Sequence, residues 1–205
     1  MKNVIPPHTE GKRLDCFESI EFASAEEARR FYEIARDRLL HVQQWAKITD
    51  IPSATFTLMD RGRQELDRAA AVGDFIRIDI PGPGLPSSRG YDWVRVEDVA
   101  RDSTPDYQRT VLTLRPTPDP TNDNPDTAHF FTHLATSTLL VEQRGNSVSA
   151  HYAGRNEVVN TENRGIVDNL RNFLVGFTAK MGASFPQWKA LVAAIVKTED
   201  LPHNT

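Results

Sequence analysis

A chain of 205 residues with 39% hydrophobic and 25% charged residues has the composition of an ordinary globule, neither disordered nor fibrous. Its 24 basic and 28 acidic residues are mixed along the length for a net charge of -4, which argues against nucleic acid and anionic lipid as partners. The single cysteine, Cys16, excludes an intramolecular disulfide, and with Phe17 and Ile20 beside it reads as a buried thiol rather than a nucleophile.

Residues 1–15 have no apolar leader segment and read as a flexible arm before a single domain over 16–205. The longest apolar run, Ala190–Val196, is roughly a third of the ~20 residues that cross a bilayer, so the expectation is a soluble, cytoplasmic protein. Phe17, Ile20 and Phe22 predict a short strand over 16–22. Ser24 with Glu27 forms a capping box, and Ala28, Phe31, Ala35, Leu39 and Val42 recur at helical spacing, predicting a helix to about Ala46 with His41 beside its apolar stripe. Pro52 ends that region, and 54–59 alternates as a strand. Arg61-Gly62 reads as a turn, while 64–72 fits either a helical excursion or a hairpin arm.

The stretch from Gly73 to Glu97 is the organising hairpin. Ile76, Ile78 and Ile80 share a face of its first strand, and Val94 and Val96 a face of its second. The opposite faces carry Phe75, Arg77 and Asp79, then Tyr91, Trp93, Arg95 and Glu97. Between them, Pro81–Gly90 holds three prolines and three glycines and ends any ladder. A further strand is predicted over 108–115, stopped by Pro116. Residues 116–127, PTPDPTNDNPDT, read as a solvated loop or a flap; the spacing of their Asp and Asn does not fit a calcium loop. From His129 the odd positions through Ser137, Leu139 and Val141 share a face. Gly145-Asn146 makes a two-residue hairpin turn, and Val148, Ala150 and Tyr152 return. Ile166 to Met181 keeps a helical period that Gly182 stops. Ser184 with Gln187 opens a last helix carrying Trp188, Leu191, Val192 and Ile195.

Several residues are candidates for chemistry. His129 and His133 would sit one turn apart in a helix and grip a metal. In the strand that their Phe, Thr and Leu neighbours favour they are roughly 13 Å apart, facing solvent or a wet cavity in which Phe131 would also lie. No glutamate stands between them as in a zinc hydrolase, and no metal is expected. Arg155 and Glu157, in Gly154-Arg155-Asn156-Glu157, either hold an anionic group or cap the junction to the C-terminal helix. Tyr91 and Trp93 make a ligand platform if they face inward and a partner-binding patch or a helix floor if they face outward. No phosphate-binding loop, nucleophile elbow or cysteine pair is present, and no cofactor is expected.

The element order, with the segment ESIEFASAEEARRFYEIARDRLLHVQQW, resembles the START and polyketide-cyclase-like (SRPBCC) helix-grip superfamily. The fold class is then α+β: a curved antiparallel sheet of about six to seven strands covered by an N-terminal helix and C-terminal helices. The resemblance implies a cavity between sheet and C-terminal helix for a small apolar or amphipathic molecule, to be bound or reshaped in cyclase fashion. It carries over no site residue. The alternative is a non-catalytic interaction module or subunit, and a homodimer is open under either reading.

Overall fold

The computed structural model of the chain describes residues 4–9, 12–49, 55–62, 64–79, 91–117, 119–121, 136–157 and 187–198, with backbone alone at Lys12, Asn156 and Glu157. Strand β1 (Lys12–Glu21) begins at Lys12 rather than at Cys16, because Lys12, Leu14 and Asp15 already pair with the neighbouring strand, across a register shift between Lys12 and Leu14. Helix α1 (Ala25–Leu40) starts where the capping box predicts: the Ser24 hydroxyl accepts from the Glu27 N–H at 3.2 Å. Its buried face is Ala28, Phe31, Tyr32, Ala35, Leu39 and Leu40, while Ile34 is exposed.

The helix stops at Leu40, short of the expected Ala46. His41 leaves the helical region at φ -89°, ψ 77°, and its Nδ1–H donates to the Asp37 carbonyl at 2.9 Å. A 3-10 turn (Val42–Gln44) and a short helix α2 (Trp45–Ile48) follow. They swing the Trp45 indole back over the helix end, where Nε1–H donates to the Arg38 and Leu39 carbonyls at 3.0 and 3.2 Å. The Ala70 N–H takes the Leu40 carbonyl at 2.8 Å. Carbonyls that a helix end leaves without partners are thus satisfied by chain from elsewhere.

Strands β2 (Thr55–Met59), β3 (Phe75–Asp79), β4 (Asp92–Thr104), β5 (Tyr107–Pro116), β6 (Thr136–Arg144) and β7 (Ser147–Glu157) form a meander, and β1 adds to β7. The result is a seven-stranded sheet in the order β1-β7-β6-β5-β4-β3-β2, antiparallel throughout. With the helices this is the expected α+β class. Of the two readings of 64–72, the hairpin arm holds at its start and no described residue there is helical: Glu65 bridges Met59 antiparallel, the Asp60 N–H donates to the Gln64 carbonyl at 3.0 Å and the Leu66 N–H to the Leu58 carbonyl at 2.8 Å, laying this segment along the outer edge of β2. The β3–β4 register places Ile76 opposite Val94 on one face and Arg77 opposite Trp93 on the other. β4 runs well past Glu97 because a bulge between Val96 and Asp98 absorbs one residue and returns Val99 to the face of Val96. At Gly145, φ 58° opens the β6–β7 hairpin, with Arg144 opposite Ser147. The Pro81–Gly90 loop, the strand expected from His129 to Ala135 and the helix expected over 166–181 lie outside the described residues.

Alternation decides the core. Val148, Ala150 and Tyr152 on β7, Leu139 and Val141 on β6, and Leu112 and Leu114 on β5 all point to the helical side and are buried. Each buried valine or leucine among them contributes about 1.5–3 kcal/mol. Helix α1 covers this face across β5, β6 and β7. The described part of the last helix (α3, residues 187–195) adds Leu191, Val192 and Ile195 to the same core. Arg38 ties it to α1 by donating to the carbonyls of Ala194 at 3.1 Å and Ile195 at 3.2 Å.

Candidate functional site

The helical side of the sheet is concave, and one indole measures the curvature. Trp188 on α3 stacks on Tyr152 of β7, with ring centroids 4.7 Å apart and planes at 11°. It also meets Phe56 of β2 and Trp45 of α2, each at 6.4 Å. In the sheet order four strands separate β7 from β2, so a flat sheet would hold Tyr152 and Phe56 roughly 24 Å apart at ~4.8 Å per spacing. Both rings instead touch the same side chain, so the sheet curls until β7 and β2 face each other across Trp188.

Within this aromatic wall the polar groups are few. The Tyr152 hydroxyl lies 3.1 Å from the Ser137 hydroxyl, on an otherwise apolar patch of Leu114, Leu139 and Gly154. Each hydroxyl is both a donor and an acceptor, the kind of group that addresses the polar end of an otherwise apolar molecule. Deeper, under α1, the Tyr32 hydroxyl bonds Thr110 at 2.7 Å. Burial pushes the Tyr32 phenol up, keeping it neutral. Cys16 stands on the same face, 6% exposed; burial, then the Asp15 charge, pushes its thiol up, which keeps it protonated and unreactive. This face therefore offers aromatic and aliphatic surface with hydroxyl hydrogen bonds rather than charge.

Of the sequence-predicted site residues, the described ones, Tyr91, Trp93 and Arg155, lie on the other face of the sheet. Tyr91 and Trp93 share the convex face with Arg77, whose guanidinium carbon is 5.0 Å from the Tyr91 ring centroid and which also donates to Glu65 at 3.0 Å. Trp93 is 5% exposed, and among the described residues its Nε1–H has no hydrogen-bond partner. Arg155 is also on the convex face, at the junction of β7 with β1, where it donates to the Asp15 carboxylate at 2.7 Å and to the carbonyls of Leu14 and Gly154 at 3.2 and 2.8 Å. Asp15 also receives Arg13 at 2.7 Å and His151 at 3.2 Å. Burial by itself would raise the Asp15 pKa, but the bonds from Arg155 and Arg13 and the Arg155 charge bring it down to about 2. Arg155 is thus committed to holding two strands together. Glu157 pairs with Lys12 in the register, its side chain outside the described set, and His129, Phe131 and His133 lie outside the described residues altogether.

Alternation alone puts Ser137 and Tyr152 on strand faces, and the hairpin turn brings them together. Counting back from Gly145-Asn146 sets Leu139 opposite Tyr152 and Ser137 opposite Gly154, making Ser137 and Tyr152 diagonal neighbours on one face. Nothing local could place Trp188, whose partners come from α2, β2 and β7.

Among the described residues no helix is long and apolar enough to cross a membrane, and no three His, Cys, Asp or Glu side chains are grouped to hold a metal ion. No protein-family model matches the chain, and no curated protein matches it. Among solved structures it is similar to a hypothetical protein from Helicobacter pylori, at 10% identity over 94% of this chain and 98% of that one, with a TM-score of 0.46. It is also similar to major latex-like protein 151 of Panax ginseng, at 12% identity over 85% of this chain and 99% of that one, TM-score 0.36. A third is the di-domain ARO/CYC protein BexL of the BE-7585A biosynthetic pathway, at 15% identity over 93% of this chain and 51% of that one, TM-score 0.32. All three scores fall below 0.5, and the strand order and register given above, not these likenesses, define the architecture.

Proposed function

We propose that the concave side of the sheet receives a small apolar or amphipathic molecule, with the Ser137–Tyr152 hydroxyl pair addressing its polar group. The observation that carries this reading is the position of that pair, next to the Tyr152–Trp188 stack on a face that is otherwise aliphatic and aromatic. Binding sites for small molecules are typically apolar surfaces with a few placed polar groups. The proposal is for binding: among the described residues, the groups with shifted pKa here, Tyr32 and Cys16, are both pushed toward their neutral forms and add no charge to the apolar surface. The helix-grip resemblance leads to the same expectation from the element order.

The test is a titration with a dansylated long-chain fatty acid, following energy transfer from tryptophan, in parallel with an uncharged apolar dye. Saturable binding of both is expected. Tyr152→Phe and Ser137→Ala should each weaken the fatty acid by roughly three- to tenfold, the worth of one hydrogen bond, and leave the apolar dye unchanged. No saturable binding, or equal affinity of the fatty acid for Tyr152→Phe and the wild type, would overturn the reading.

A further inference from the structure

The two ends of the sheet are finished differently. At β2 the bridge from Glu65 to Met59 and the bond from Leu66 to Leu58 occupy the outer edge, and the strand is five residues long. β1 is ten residues long and carries Phe17, 62% exposed. Its outward groups follow from the register. Arg144 and Ser147 close the two-residue turn as a hydrogen-bonded pair, so the odd-numbered residues of β7 bond β6 and the even-numbered ones bond β1. On β1, Leu14, Cys16, Glu18 and Ile20 pair with those even positions. The N–H and C=O groups of Asp15, Phe17 and Ser19 therefore point away from the sheet, and no described residue bonds them. The register with β7 shifts between Lys12 and Leu14 and is unbroken from Leu14 to Glu21, and an edge of this length that no described residue covers invites another strand.

We propose that β1 pairs with β1 of a second copy of this chain, antiparallel about a two-fold axis at Phe17, joining two sheets into one. Self-complementarity selects this partner and this register. With Phe17 opposite Phe17 of the second copy, each Asp15 faces a Ser19 hydroxyl and each Arg13 faces a Glu21, all on the convex face. Phe17 then forms a hydrogen-bonded pair with its counterpart, so the outward amides on both strands are used. A two-fold centred on Asp15 would oppose two carboxylates, and one centred on Ser19 would set Glu21 against Phe17 and shorten the ladder. The Phe17 register is the one with aromatic, polar and ionic pairs matched over the whole strand. This inference is independent of the ligand reading, since it uses the convex edge and no concave residue.

The experiment is sedimentation velocity of the full chain over a concentration series, with cysteine cross-linking. A dimer is expected. Phe17→Lys, which opposes two charges at the axis, should weaken it at least tenfold. Glu21→Arg should also weaken it, and the double variant Arg13→Glu/Glu21→Arg should restore it, a rescue that a misfolded variant would not give. Phe17→Cys should form a disulfide-linked dimer under mild oxidation, since paired Cα atoms lie ~5.5 Å apart. Ser19→Cys should not, because its two copies would be roughly 14 Å apart. A monomer at every concentration, a dimer unaffected by Phe17→Lys, or cross-linking of Ser19→Cys as readily as Phe17→Cys would overturn the proposal.

Discussion

Asp15 gathers hydrogen bonds from Arg155, Arg13 and His151 where β1 meets β7, and its pKa of about 2 lies below the ordinary aspartate value. A depressed folded-state pKa gives stability that is present above the unfolded value near 4 and is lost as the pH falls toward 2. The carboxylate is partly exposed, at 32% of its side chain, so solvent screening reduces the contribution to about 1 kcal/mol. Urea unfolding should therefore find Asp15→Asn less stable than the wild type by about that much at pH 7, with the gap closing between pH 4 and pH 2. A gap that stays constant with pH would mean that the carboxylate charge is not what holds the strands. On sequence Arg155 is a candidate to hold an anionic group or to cap the junction to the C-terminal helix; its guanidinium instead bonds the chain's own Asp15, a partner on a strand 140 residues away that no local pattern indicates.

Elements that depend on near neighbours were legible, and those closed from a distance were not. The Ser24 cap, the Gly145-Asn146 hairpin with its register, and the facing of Ile76 with Val94 all follow from local patterns that the structure reproduces. The end of α1 does not, because it is set by the Trp45 indole and the Ala70 N–H rather than by a breaker in the helix. Likewise the bulge at Glu97 resets the alternation of β4, so the polar half of that strand has no readable period. If the indole is what ends α1, Trp45→Phe, which keeps an aromatic ring but loses the donor, should cost about 1–2 kcal/mol in thermal unfolding, and Trp45→Ala about 3–5 kcal/mol. A Trp45→Phe variant as stable as the wild type would show that packing alone fixes the helix end.

At the scale of the molecule, a meander that begins at one edge and ends beside β1 leaves one face for the helices and curls around it. Its order was readable because each strand pairs with the next in sequence. The curvature was not, because it is expressed in the meeting of Trp188 with Phe56 of β2 and Tyr152 of β7, rings from strands far apart in the sheet. The candidate site inherits that division: the hairpin register made Ser137 and Tyr152 neighbours, whereas Trp188 arrives through tertiary packing. Burial of an amphipathic molecule against this face would perturb side chains of one alternation and spare the other. Methyl-labelled NMR of the full chain, recorded with and without a long-chain fatty acid, separates the two directly. The account predicts shifts at Ile78, Leu114 and Leu139, on the concave face, and none at Val111 or Leu140, which lie on the convex face. Shifts confined to Val111 and Leu140, or no shifts at any of these methyls, would contradict it.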